Sequence, residues 1–200
     1  KTKELLVAPA DNVTNFEGIQ FLVENPYWEG AKISLYSAGE ESIASMPNIK
    51  VGKFITQVIL QNIEVEDIDL SNATDLRSAW VQNNPALQKL DLSYSTIWGQ
   101  GDKETEGNGT YGSSLMVLGC PILKEIKLPE KNELKAYRID IECLDALETF
   151  DMSNVKMVAE LSIGDLNKDF NLVYPELTIF YSEDGYAGTY FACSENTFYR

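Results

Sequence analysis

Apolar residues recur through the middle of the chain in a fixed arrangement. From Val65 the sequence reads VEDIDLSNATD, LRSAWVQNNPA and LQKLDLSYSTI, three units of 11 residues. Each has apolar side chains at its first, fourth and sixth positions: Val65, Ile68 and Leu70; Leu76, Ala79 and Val81; Leu87, Leu90 and Leu92. The preceding unit fits with Ile55, Val58 and Leu60. Farther on come Leu123, Ile126 and Leu128, then Leu134, Tyr137 and Ile139. After a slip of two residues the pattern resumes with Leu147, Phe150 and Met152, then Val158, Leu161 and Ile163. Leu177 and Phe180 echo it weakly. Aligning WVQNNPAL on MVLGCPIL adds a unit from Gly112 to Ile122, with Leu115 and Val117 inward.

The fourth and sixth positions are two apart, so both side chains point to one side of a strand and the fifth points away. No unit can bury its inward face alone, so units must stack and share one core. Asn83-Asn84-Pro85 and Gly119-Cys120-Pro121 stand where the chain must turn. The pattern predicts a β-rich repeat solenoid. If successive half-units alternate between two faces, the outward residues sort into two ladders.

The phrases IDLSNATDL and NNPALQKLDLS resemble the bacterial leucine-rich repeats of cell-surface and secreted proteins, common in gut-dwelling Gram-negative bacteria. The resemblance covers residues 55–182. It implies a right-handed coil of about 21 to 23 residues, made of two alternating half-units. It also implies an extracellular or outer-membrane-attached module, compatible with a lipid anchor upstream, that adheres to a protein or glycan. The chain departs from the family in irregularity: Asn holds the turn position only at Asn84, with Cys120 in its place in the aligned unit.

Residues 1–54 do not follow the repeat, and a solenoid end needs a cap over its exposed core. A small α+β cap is expected there. Asn12 to Asn25 reads as an amphipathic helix with Phe16, Ile19, Leu22 and Val23 on one face, ended by Pro26. Ala31 to Ser37 alternates as a strand with Ile33 and Leu35 inward. Gly-rich, charged residues 98–111 lack periodicity and read as an inserted surface loop. The aromatic residues of 183–200 are expected to cap the other end.

Composition narrows the function. The formal net charge is −15, with 31 acidic against 16 basic residues, which repels phosphate backbones and disfavours nucleic acid and anionic membrane surfaces. No run approaches the roughly 18 apolar residues of a membrane span. The chain begins at Lys1 without Met or a signal peptide, as expected of a processed protein. Cys120, Cys143 and Cys193 are three, an odd number that cannot complete a disulfide framework. Histidine is absent, which removes the commonest general base and nucleophile pairs.

One expected ladder carries Asp69, Asp91, Lys127 and Asp151, flanked by Asp67, Lys89 and Glu125. It reads as a solvated face able to attract a cation or a basic partner. The other carries Ile59, Trp80, Met116, Arg138 and Ser162. Exposed Ile, Trp and Met in consecutive units mark either a contact site or a surface covered by the N-terminal segment or the inserted loop. Ile59, Trp80, Met116 and Arg138 are therefore the candidate ligand-binding residues. Asp165, Asn167, Asp169, Asn171 and Glu176 match the spacing of a calcium loop and form a weak candidate Ca²⁺ site. Phe170 stands where such a loop needs Gly, and the plainer reading is an acidic connection between repeats.

No converging catalytic set can be assembled, so the expected function is non-enzymatic recognition or adhesion through a protein or glycan ligand. Two alternatives stand beside it. A glycan-processing enzyme would need two carboxylates about 5 to 10 Å apart in a cleft. A structural spacer would bury its Trp80 face within a larger assembly.

Overall fold

Val58, Leu60, Ala79, Val81, Leu115 and Val117 are all fully buried, as the alternation requires. The computed structural model describes residues 4–7, 13–24, 32–36, 43–93, 114–130, 134–174 and 191–192. They form a parallel β-solenoid of about five coils with almost no helix. In chain order the elements are β1 (Glu4–Val7), α1 (Ile19–Val23), β2 (Lys32–Tyr36), β3 (Ala44–Ser45), β4 (Ile49–Lys50), β5 (Gln57–Gln61), β6 (Ile63–Glu64) and β7 (Asp67–Asp69). There follow β8 (Ser78–Gln82), β9 (Lys89–Asp91), β10 (Ser114–Leu118), β11 (Glu125–Lys127), β12 (Leu134–Leu144), β13 (Thr149–Asp151), β14 (Val155–Leu166), β15 (Asn171–Val173) and β16 (Phe191–Ala192).

Successive half-units feed different sheets. The main sheet has eight strands in the order β1-β2-β5-β8-β10-β12-β14-β16, and a second sheet has four in the order β11-β9-β7-β4. Every described pairing is parallel, because each coil returns the chain to the same edge in the same direction. Ile59 pairs with Trp80, 21 residues on, and Ile68 pairs with Leu90, 22 on. Across residues 94–113 both sheets keep register: Ala79 pairs with Leu115 and Leu90 with Ile126, each 36 apart. Thus the long connection interrupts the chain without interrupting the stack. The insertion expected at 98–111 itself lies outside the described residues, as does most of the C-terminal segment 183–200.

The N-terminal segment is not separate from this stack. Leu35 pairs with Leu60 and Val7 with Leu35, so β1 and β2 carry the main sheet into residues 1–54. The helix is shorter than the periodicity suggested, starting only at Ile19. Gly18, just before it, has φ of 98°, a conformation that ends any helix extended backwards, and Asn15 bridges to Ser45 as a strand would. Val23 is buried, and its carbonyl accepts from Gly52 N–H at 3.3 Å, which sets α1 against β4, the edge of the second sheet.

One unit is rephased. Leu115 pairs with Ile139 and Val117 with Ile141, so the inward set is Ala136, Ile139 and Ile141 rather than Leu134, Tyr137 and Ile139. Ala136 stands 11 residues before Leu147, so the two-residue slip falls before this unit and not after it. The tail pair Leu177 and Phe180 lies outside the described residues.

Among the described residues, a column of left-handed residues turns the coils from β5 to β14 out of the main sheet. Asn62, Asn83, Cys143 and Asp165 have φ between 49° and 55°, and Gly119 has 62°. Each stands two residues after a sixth-position core residue. Asn83 Nδ2 donates to Asn62 Oδ1 at 2.9 Å, linking neighbouring coils. At Gly119 a Cβ would come within 2.6 Å of Asn83 Oδ1. Gly119→Ala is therefore expected to cost about 1–3 kcal/mol, from left-handed strain plus displacement of that amide. Urea unfolding measures this; a change under about 0.5 kcal/mol contradicts the column.

Candidate functional site

The outward ladder of the main sheet runs Ser34, Ile59, Trp80, Met116, Asp140 and Ser162, in pairing register from β2 to β14. Ile59, Trp80 and Met116 therefore lie side by side as expected. Arg138 does not join them. It pairs with Ser114, two residues back along the strand, and Asp140 takes the place beside Met116. The rephased unit causes this correction, since a two-residue shift moves the outward position by two and keeps its face.

This face is not an open apolar strip. Ile59 and Trp80 are half-buried, Met116 is only 9% exposed and Asp140 only 4%. Polar side chains fix one another around them. Trp80 Nε1 donates to Gln82 Oε1 at 3.2 Å, and Gln61 Nε2 donates to the same oxygen at 3.1 Å. The hydroxyls of Ser78 and Ser114 pair at 2.9 Å, and Ser162 Oγ donates to Glu142 Oε1 at 2.7 Å. Arg138 meets Asp140 Oδ2 at 2.6 Å, a charge-assisted bond on one strand. Asp140 Oδ1 is buried without a hydrogen-bond partner. An orphaned acceptor in such a place is costly and stands out against an otherwise connected network.

The opposite ladder is a structural device as much as a charged face. Asp69, Asp91 and Lys127 are in register on β7, β9 and β11, while Asp151 lies on β13 in a separate two-stranded sheet with β15. Asp69, Asp91 and Asp151 each accept the backbone N–H two residues on, from Ser71, Ser93 and Ser153, all at 2.9 Å. The repeated Asp-x-Ser signature is thus a turn cap. Where the chain has Lys127 instead, the residue two on is Pro129, which has no N–H to offer. The expected repulsion between acids is relieved by lysines: Lys50 meets Asp69 at 3.0 Å, and Lys89 meets Glu125 at 3.3 Å and Asp91 at 3.8 Å. Burial alone would raise the Asp69 carboxyl, but the bonds from Ser71 and Lys50 outweigh it and hold it below its ordinary value. That stabilisation is present above the ordinary carboxylate range and is lost as pH falls through the lowered value.

The described candidate calcium residues lie across a strand, a turn and a second strand. Asp165 sits in β14 with φ of 49°, Asn171 begins β15, and a turn separates them. Asn167 spends its side chain on the protein: Nδ2 donates to the Asp145 carbonyl at 3.1 Å, and Oδ1 accepts from Asp169 N–H at 3.0 Å. Glu176 lies outside the described residues. Among the described residues, no group of three or more acidic or thiol side chains is placed to hold a metal ion.

Asn84 and Cys120 occupy equivalent turn positions, as the alignment suggested. Asn84 Oδ1 accepts from Leu87 N–H at 3.1 Å and Ala86 N–H at 3.2 Å, closing the turn. Cys120 is buried there, and burial pushes its thiol up to about 12, against a partial lowering by the Asn84 backbone. The unfolded thiol ionises near its ordinary 9.0 and the folded one does not. Stability is therefore expected to fall as pH rises from about 9 towards 12. Cys143 is exposed, so in a Cys193→Ser background iodoacetamide should label it in the native protein and reach Cys120 only on unfolding. Native labelling of Cys120 at the unfolded rate contradicts this placement.

Two features of the site escaped the sequence. Asp140 was hidden by the misplaced slip, although the 11-residue spacing from Ala136 to Leu147 points to it. The rest of the left-handed column beyond Asn83 and Gly119 carries Asn62, Cys143 and Asp165, whose only shared signal is position, two residues beyond a sixth-position core residue.

Fold and face together define a parallel β-solenoid with an inward apolar core and a polar, aromatic-bearing outer sheet face. Compared with known protein families, curated proteins and solved structures, the chain matches none. No helix among the described residues is long and apolar enough to cross a membrane.

Proposed function

We propose that the chain is a non-catalytic recognition or adhesion module of the bacterial leucine-rich-repeat kind, outside the cytoplasm, with the outer main-sheet face as its binding surface for a protein or glycan. The observation that carries the reading is the Ile59–Trp80–Met116 ladder. Three large apolar residues hold adjacent outward positions on β5, β8 and β10, where a sheet facing only solvent favours polar ones. The register that makes them neighbours survives the 36-residue step between Trp80 and Met116. Around them the polar groups are already fixed by mutual hydrogen bonds, which lowers the ordering cost of binding. In this reading α1 belongs to an N-terminal cap, supported by its seat on the edge strand β4.

Purified protein applied to arrays of glycans and of extracellular-matrix proteins tests the proposal. Trp80→Ala is expected to weaken the strongest response about 30-fold, the scale of a central aromatic anchor, with little change in melting temperature. Equal binding by Trp80→Ala and the unaltered protein overturns the assignment of the face.

A further inference from the structure

Resting on that reading of the face, we infer that its ligand is an uncharged glycan, stacked on Trp80 with one sugar hydroxyl donating to Asp140 Oδ1. Three observations converge. The indole is pinned by its Nε1–H on Gln82 Oε1, so the ring is a fixed, half-buried platform. Asp140 Oδ2 is held by Arg138 at 2.6 Å, which fixes the carboxylate and leaves Oδ1 a buried acceptor without a donor. Arg138 sets a positive charge beside the Asp140 carboxylate. A cationic ligand brought to Asp140 would therefore meet the guanidinium, and an anionic one would meet Asp140, Glu142 and the net charge of −15. Hydroxyl groups donate and accept without charge, and they fit both halves of the pair.

The register fixes the direction of such a ligand. Trp80, Met116 and Asp140 stand on three consecutive strands, and strands lie about 4.8 Å apart, so platform and acceptor are about 10 Å apart. That is a span for two linked pyranose rings running across the strands, parallel to the coil axis. Met116 lies between them. Its flexible thioether can change rotamer to admit the hydroxyl to Oδ1, while offering apolar contact to the ring above. Asp140 acts here as a binding residue, and Gln82 as the residue that positions Trp80.

Calorimetric titration with neutral hexasaccharides of glucose, xylose, mannose and N-acetylglucosamine tests the inference. At least one is expected to bind, with Trp80→Ala losing the response and Trp80→Phe keeping most of it. Asp140→Asn is expected to weaken binding about tenfold, while Asp91→Asn, on the opposite ladder, leaves it unchanged. Should Asp140→Asn fail to fold, Gln82→Ala carries the same test, with an expected loss of several-fold. No binding by any hexasaccharide, or undiminished binding by the Asp140 and Gln82 variants, overturns the inference. A protein ligand lost in Trp80→Ala yet untouched by competing sugars also overturns it, while leaving the face a recognition surface. An equal loss in Asp140→Asn and Asp91→Asn shows attraction by overall acidity and overturns it too.

Discussion

Phe150→Ala is expected to lower the free energy of unfolding by about 3–5 kcal/mol, among the largest losses a single truncation gives. Phe150 is fully buried and is among the bulkiest of the wholly enclosed side chains. It sits at the fourth position of its unit on β13 and pairs with Leu172 on β15. That pair forms a two-stranded sheet of its own rather than continuing the four-stranded one. Neighbouring coils are held in register by the main sheet, so they cannot close in on the cavity, and its cost is retained. Urea unfolding with an unchanged denaturant slope measures the effect. A loss under about 1 kcal/mol shows that Phe150 is not enclosed between coils.

Arg138→Met carries the second large effect, about 2–3 kcal/mol. Removing one partner of a buried ion pair leaves the other charge uncompensated. The Asp140 side chain is only 6% exposed, while that of Arg138 is 27% exposed, which places the loss below that of a fully buried pair. The double variant Arg138→Met, Asp140→Leu removes the stranded charge, and its stability is expected to return to near that of the unaltered protein. A double variant no more stable than Arg138→Met alone contradicts the coupling.

How much of this was legible in the residues follows from what kind of constraint each feature obeys. The core was legible because burial acts on side-chain type. Val58 and Leu60, Ala79 and Val81, and Leu115 and Val117 had to be apolar at two-residue spacing, and the spacing survives in the sequence. The alternation between two sheets followed from the same units. The corners at Asn83 and Gly119 were legible as turns beside Pro85 and Pro121, but those at Asn62, Cys143 and Asp165 were not, because no single residue type marks a left-handed backbone. The phase of the unit at Ala136 was lost because Leu134 and Tyr137 mimic the pattern two residues early. The 11-residue spacing from Ala136 to Leu147 points to the later phase, and the pairing of Ile139 with Leu115 decides it. The acidic ladder was read as a charged surface, yet Asp69, Asp91 and Asp151 are held first by the N–H of the serine two residues on. That role appears in sequence only as the recurrence of Asp-x-Ser. The calcium spacing spreads over a strand, a turn and another strand, an arrangement that matching intervals alone do not reveal.

The coil register sets Ile59, Trp80, Met116 and Asp140 side by side. Through-space NMR contacts between backbone protons of isotopically labelled protein test it most directly. Contacts are expected between Ile59 and Trp80, Trp80 and Met116, and Met116 and Asp140, with all partners running parallel. Contacts placing Arg138 opposite Met116, or antiparallel contacts between β8 and β10, would contradict the solenoid and the face built on it.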